Sequence, residues 1–213
     1  MDIYWLNNEI VFPPVEKGSA EGLLAVGGDL STERLLLAYQ SGIFPWYEEP
    51  PILWFSPDPR YVLYPEKFKV AKSLRKVIAK EKFNITFNTS FKEVIQNCAE
   101  RRKGETWIIP EMIEAYTKLH EAGHAFSVET WFEGELVGGL YGVVVGTVFC
   151  GESMFHKVTD ASKVAFYYLV QELIKKGFTL IDAQLHNPHL ETFGCEFIPL
   201  KAYQEILKTG LDK

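Results

Sequence analysis

AFSVETWFEGELVGGLYGVVVGTVFCGESMF, residues 125–155, reads as three consecutive strands. β-branched and aromatic side chains dominate it, and glycine-bearing breaks divide it into lengths suited to strands. Glu133-Gly134 is the expected turn between the first pair, because a two-residue hairpin loop favours glycine where φ is positive. Downstream, residues 160–176 have helical spacing and end at Gly177, and FTLIDAQL (178–185) returns to a strand. Upstream, apolar residues recur at helical spacing over 68–80, 90–102 and 110–122. A further helix is expected from Thr32 to Ser41, with Ser31 able to cap its start and Gly42 to end it. Helices, then antiparallel strands, then a helix and a last strand describe an α+β fold.

Residues 43–65, IFPWYEEPPILWFSPDPRYVLYP, contain six prolines, which cut the segment into short extended pieces and turns. The expected organisation is therefore a small N-terminal domain over 1–64 and a larger domain over 65–213. A chain of 213 residues with 47% hydrophobic side chains can bury one full core, with at most a small satellite. Its 23% charged and 14% aromatic content is that of a folded protein rather than a disordered one. No apolar run reaches the roughly 18 residues of a membrane span. The opening MDIYWLNNEI lacks the basic-then-apolar order of a secretory signal, so a cytoplasmic location is expected. Cys98, Cys150 and Cys195 are widely spaced, which suits reduced and mostly buried thiols.

Charge is uneven. The chain carries −6 in total, yet residues 66–82 hold seven basic and two acidic side chains, a local +5 against −11 elsewhere. Lys69, Lys72, Lys76 and Lys80 share one face of the expected helix, opposite Val70, Leu74, Val77 and Ile78. Such a face is either a solvated surface or a phosphate-binding patch.

Other residue patterns carry chemistry, each with a plainer structural reading. His120-Glu121-Ala122-Gly123-His124 matches a zinc-protease motif, but Gly123 sits where the helix should stop, so the second histidine leaves the helix face that metal binding needs. Asp182 and Gln184 are two apart on a strand and so share a face. They are either a buried hydrogen-bonded pair or a general base with a relaying amide. Glu152, between Gly151 and Ser153, is either an exposed residue on a β-bulge or an anionic group beside a pocket walled by Phe149, Met154 and Phe155. Trp46 and Trp107 flank turns, where an indole either packs or stacks a nucleobase.

The stretches GLLAVGGDLS, LLLAYQSGIFPW, ILWFSPDPR, LHEAGHAFSVE, ELVGGLYGV, FCGESMF, ASK and LIDAQ together resemble the bacterial leucyl/phenylalanyl-tRNA–protein transferase family, over about residues 22–200. The resemblance implies a larger domain similar to the acetyltransferase-like (GNAT-like) fold, with a mixed, mostly antiparallel sheet and no acetyl-CoA. It implies transfer of Leu or Phe, and less well Met, from aminoacyl-tRNA to the α-amine of proteins beginning with Arg or Lys, marking them for degradation. It implies no cofactor, metal or membrane. Asp182 and Gln184 take the catalytic positions and Glu152 the acceptor-binding one. Trp46 and Trp107 fall around the terminal adenosine. Phe149, Met154 and Ile181 line the donor side-chain pocket, and Lys72, Arg75, Lys76 and Lys80 face the tRNA. The chain departs from the family pattern at Ala79 on the basic helix, at the pocket positions Leu140 and Leu169, and at Leu200-Lys201, where an arginine is expected. Two other classes remain open: a small-molecule N-acetyltransferase, whose glycine-rich pyrophosphate loop has no counterpart in MFHKVTDASK (154–163), and a non-catalytic tRNA- or N-terminus-binding module.

Overall fold

The computed structural model describes residues 3–100 and 106–212. Within these, the N-terminal part comprises β1 (Tyr4–Leu6), β2 (Leu23–Gly27), α1 (Thr32–Gln40), β3 (Phe44–Pro45) and β4 (Leu53–Phe55). There follow β5 (Arg60–Leu63), α2 (Lys72–Ile78), β6 (Asn84–Phe87), α3 (Phe91–Glu100) and α4 (Pro110–Glu121). The three expected strands are β7 (Ala125–Phe132), β8 (Glu135–Val145) and β9 (Val148–His156). The chain closes with α5 (Ala161–Lys175), β10 (Leu180–Gln184), α6 (Pro188–Glu191), β11 (Glu196–Ile198) and α7 (Leu200–Leu211).

The short strands form a four-stranded sheet in the order β1-β2-β4-β3. The others form a seven-stranded sheet, β11-β5-β10-β9-β8-β7-β6, in which β9 and β10 are parallel and the remaining pairs antiparallel. The α+β reading therefore holds. Arg60–Leu63, which lie before residue 65, pair with β10 and β11 and so belong to the large sheet.

Local sequence explains most elements. Glu133 and Gly134 both have positive φ (53° and 86°), the geometry that turns β7 into β8. Ser31 accepts a hydrogen bond from the Arg34 N–H at the start of α1, as expected. The basic helix is shorter than the expected 68–80. The Lys69 N–H donates to the Phe193 carbonyl (2.9 Å), which keeps the chain extended up to Ala71. Glu81, at φ 48°, marks the chain's departure from right-handed helical geometry beyond the other end. The continuation of α3 to 102 lies outside the described residues.

The large sheet separates two apolar layers. On one face α1, α3, α4 and α7 pack with Tyr141, Val143, Cys150 and Leu180, in a core that also takes in Trp54 and Ala25 of the small sheet. On the other face α2 and α5 pack with Leu140, Phe149 and Ile181. The small sheet thus shares its core with the first face, which brings α1 against the sheet where β9 and β10 part.

Candidate active site

β9 and β10 run side by side only from Val148↔Leu180 to Cys150↔Asp182. Beyond this point they diverge, and the gap between Gly151–Met154 and Ala183–Asn187 opens into a cavity of about 230 Å³. Two irregularities shape it. In the β8–β9 ladder Tyr141 faces Ser153 while Gly142 faces Gly151, so Glu152 is the extra residue of a bulge. Strict alternation over the five-residue step from Phe149 to Met154 would put them on opposite faces. The bulge restores Met154 to the side of Phe149 and Leu140. In β10 the register slips between Asp182 and Gln184, and Gln184 has a φ of 62°.

Leu140, Phe149, Met154, Leu169 and Ile181 all line this cavity, with Leu190 of α6 across the mouth. Glu152, Asp182 and Gln184 line it as well, with Ser153, His186, Asn187 and His189 as further polar residues. Trp46 and Trp107 line a second cavity, which shares Glu152, Gln184 and Leu185 with the first and adds Glu48 and Phe44. The residues that the resemblance assigns to a donor pocket, to catalysis and to a terminal adenosine thus converge on two hollows with shared lining. Lys72, Arg75 and Lys76 are exposed on α2, and Lys80 is exposed just beyond it. The helix anchors through buried Leu74 and packs on α5, the helix behind the apolar cavity.

Asp182 is fully buried and its carboxylate is saturated. Oδ1 accepts from Arg60 Nε (2.9 Å) and the Gln184 N–H (2.9 Å). Oδ2 accepts from Arg60 Nη2 (2.7 Å) and the Tyr203 hydroxyl (2.7 Å). Arg60 is itself 1% exposed and lies between the rings of Phe44 and Tyr203, at 4.9 and 4.7 Å. A two-pronged arginine pair of this kind satisfies a buried charge with fixed geometry. Its local effect is to hold the Gln184 backbone in the left-handed region and so to aim the Gln184 side chain.

That side chain donates from Nε2 to Glu152 Oε1 (2.7 Å). The same oxygen accepts from the Tyr39 hydroxyl of α1 (2.7 Å), and Tyr39 and Tyr116 share a short hydroxyl contact. Among the described residues, Glu152 Oε2 has only the Tyr116 hydroxyl, at 3.4 Å. Burial raises the Glu152 carboxyl to about 7; the hydrogen bonds from Tyr39 and Gln184 oppose that rise, and the nearby Asp182 charge adds to it. Glu152 is therefore a bulge residue, but it points into the protein rather than out to solvent.

Elsewhere, α4 ends at Glu121 and Gly123 has a φ of 83°, so the two histidines of the zinc-like motif leave a common helix face. His120 stacks on Phe91 (4.3 Å) and its Nδ1 lies 2.7 Å from the Ala125 carbonyl. Cys98 and Cys150 are buried. Burial pushes the Cys195 thiol up to about 12. Sequence reasoning does not single out Arg60, Tyr203, Tyr39 or Tyr116. A carboxylate inside LIDAQ announces a buried cation, but its partner lies 122 positions away, and local pattern cannot choose it.

Residues 62–208 match the model for the family described as leucyl/phenylalanyl-tRNA protein transferase, and residues 28–58 match the model for its N-terminal domain. The chain is 54% identical to the leucyl/phenylalanyl-tRNA–protein transferase of Syntrophobacter fumaroxidans over 99% of its length and 92% of that protein. It is 52% identical to that of Flavobacterium johnsoniae, over 97% of its length and all of the relative. Among solved structures, an aminoglycoside acetyltransferase from an uncultured soil metagenomic sample aligns with a TM-score of 0.42 at 16% identity, covering 51% of this chain and 80% of that one.

Proposed function

Since this chain belongs to the leucyl/phenylalanyl-tRNA–protein transferase family and is an enzyme that transfers an aminoacyl group from tRNA to protein, we propose that its donors are Leu- and Phe-tRNA and its acceptors are cytoplasmic proteins beginning with Arg or Lys. The product would carry a new N-terminal residue that acts as a degradation signal. The observation that carries this reading is the junction of the two cavities: an apolar hollow for the donor side chain ends at Glu152 and Gln184, which also face the second hollow.

The donor ester is already activated, so the transfer requires neither ATP nor a metal. The acceptor amine must sit beside the ester carbonyl, lose a proton and attack. Proximity is a large part of such catalysis, because two bound reactants meet at high effective concentration. In this reading Leu140, Phe149, Met154, Leu169 and Ile181 grip the donor side chain. Trp46 and Trp107 stack the terminal adenosine. Gln184 and Glu152 receive the amine. Asp182 acts as an electrostatic anchor, since both of its oxygens are already filled. One methylene in an apolar pocket discriminates by only about 1–3 kcal/mol, so Met should also be transferred, and less well.

The test supplies labelled Leu-, Phe-, Met- and Ile-tRNA with a peptide beginning in Arg and another beginning in Asp. Label should reach the α-amine of the Arg peptide from the first three donors only. Equal transfer to the Asp peptide would remove the acceptor assignment, and equal transfer from Ile would remove the pocket. Tight binding of acetyl-CoA in a parallel titration would favour the acetyltransferase class instead.

The basic patch makes a separate prediction. Lys72, Lys76 and Lys80 are exposed, and in this reading they meet tRNA phosphates. Replacing all three by alanine should flatten the log–log dependence of tRNA binding on salt, by about 0.7–0.9 for each phosphate that is no longer neutralised. Filter binding across a salt series reads this directly, and an unchanged slope would take the patch out of the tRNA interface.

A further inference from the structure

We propose that Glu152 is the group that takes the proton from the acceptor's α-ammonium, with Tyr39 and Tyr116 as positioning residues that hold its carboxylate ready. The proposal rests on the donor and acceptor assignment above and adds a catalytic role within it.

Three observations carry it. First, Asp182 has no accepting capacity left: each oxygen already takes two donors, and the side chain is fully buried. Second, Glu152 Oε1 is filled by Tyr39 and Gln184, whereas among the described residues Oε2 keeps only one long contact, to Tyr116 at 3.4 Å. One oxygen is therefore anchored and the other can accept a hydrogen bond from an incoming ammonium. Third, Glu152 is the one carboxylate lining both cavities among the described residues; Asp182 lines only the apolar one and Glu48 only the tryptophan-walled one. A base for this reaction must touch the amine at the point where it meets the ester, and that point is the junction.

The step balances without a further reactant. Glu152 Oε2 takes one proton from the ammonium and leaves a neutral amine. The nitrogen lone pair forms the new C–N bond as the carbonyl π pair moves onto oxygen. Collapse of the tetrahedral intermediate breaks the bond to the tRNA 3′-terminal oxygen, which leaves with the second proton from nitrogen. The Glu152 carboxylic acid then returns its proton to water.

The groups facing Glu152 set its titration. Tyr39 of α1, Tyr116 of α4 and Gln184 of β10 donate to it or lie within reach of doing so, and each stabilises the charged form. Asp182, with Arg60 behind it, and Cys150 lie beyond, and Glu48 shares the second cavity. Burial acts in the opposite direction and brings the carboxyl to about 7, where a general base works well at neutral pH.

The experiment measures kcat/KM for transfer from Phe-tRNA to an Arg-initiated peptide between about pH 5.5 and 8.5, in wild type, Tyr39→Phe, Tyr116→Phe, Glu152→Gln and Glu152→Asp. Folding is checked by thermal melting. Wild type should show activity rising with pH through about 7. Each phenylalanine variant removes one hydroxyl donor with little change of shape, so its rising limb should move to higher pH. Glu152→Gln should lose the limb and about 10²-fold or more of the rate, and Glu152→Asp should keep a limb at reduced rate. The peptide's own α-amine titrates near about 7.7–8.0, and its limb would stay in place in every variant. A limb unmoved by both tyrosine changes, or retained at full rate in Glu152→Gln, overturns the proposal. Absence of transfer from any donor in the wild type would instead overturn the donor and acceptor assignment.

Discussion

Asp182→Ala is expected to lower stability by about 3–5 kcal/mol, because it leaves the Arg60 guanidinium buried without its counter-charge. For a chain of this size that is a fall of about 6–20 °C in Tm. The pair spans β5 and β10 and is capped by Tyr203 from α7, so one deletion strands groups on two further elements. The control is the double change Arg60→Met with Asp182→Leu. It removes both charges and refills the space with apolar atoms, an exchange that is often close to neutral in stability. The double variant should therefore melt nearer to wild type than either single change. Its transfer activity should nevertheless stay low. Without the Asp182 carboxylate the Gln184 N–H loses its acceptor, and nothing holds a non-glycine residue at a φ of 62°, a strain of order 1–3 kcal/mol. Gln184 then relaxes and no longer meets Glu152. Calorimetry and a transfer assay on the same preparations separate the two effects. A double variant that regains both stability and activity would show that the ion pair has no bearing on the site.

Local signals make much of this legible in the sequence. β7, β8, β9, α5 and β10 follow from alternation, turn chemistry and a glycine stop, all read within a dozen residues. The exposed face of α2 follows from lysine spacing. What local pattern does not reach is any feature set by long-range pairing. Arg60 meets Asp182 across 122 positions, and Tyr39 meets Glu152 across 113. GES allows either a bulge or a pocket anion, and the structure joins the two: the bulge is what turns the carboxylate inward. Periodicity alone misplaces the ends of α2, because the Lys69 N–H bonds to Phe193, a residue 124 positions on. Alternation puts Asp182 and Gln184 on one face, but the register slips between them and Gln184 takes a φ of 62°, so Asp182 is held in an ion pair while Gln184 reaches Glu152 and the second cavity. That difference comes from neighbours contributed by β5, α7 and α1, not from LIDAQ itself.

Two glycines paired across β8 and β9, Gly142 behind Phe149 and Gly151 in the cavity wall, should respond in opposite ways, and together they test the donor site. A Cβ at Gly142 would lie 2.3 Å from the Cys150 carbonyl oxygen and 2.6 Å from the Phe149 ring, so either β9 or the pocket's aromatic wall must move. Gly142→Ala should cost about 1–3 kcal/mol or more through overpacking and should impair every donor alike. A Cβ at Gly151 meets nothing nearer than the Asp182 carbonyl oxygen at 3.7 Å, and Gly151 faces the apolar cavity beside Phe149. Valine there suits a strand and removes the entropic penalty of glycine, worth about 0.5–1 kcal/mol, so the fold should be unharmed. Its methyl groups, however, would occupy space that the larger donor ring needs. Transfer of Phe should fall about 10–200-fold relative to Leu, the range that small steric changes in apolar pockets produce. The measurement is the ratio of kcat/KM for Phe-tRNA and Leu-tRNA with one peptide acceptor. A ratio unchanged by Gly151→Val, in a variant that melts like wild type, would mean that the donor side chain lies elsewhere.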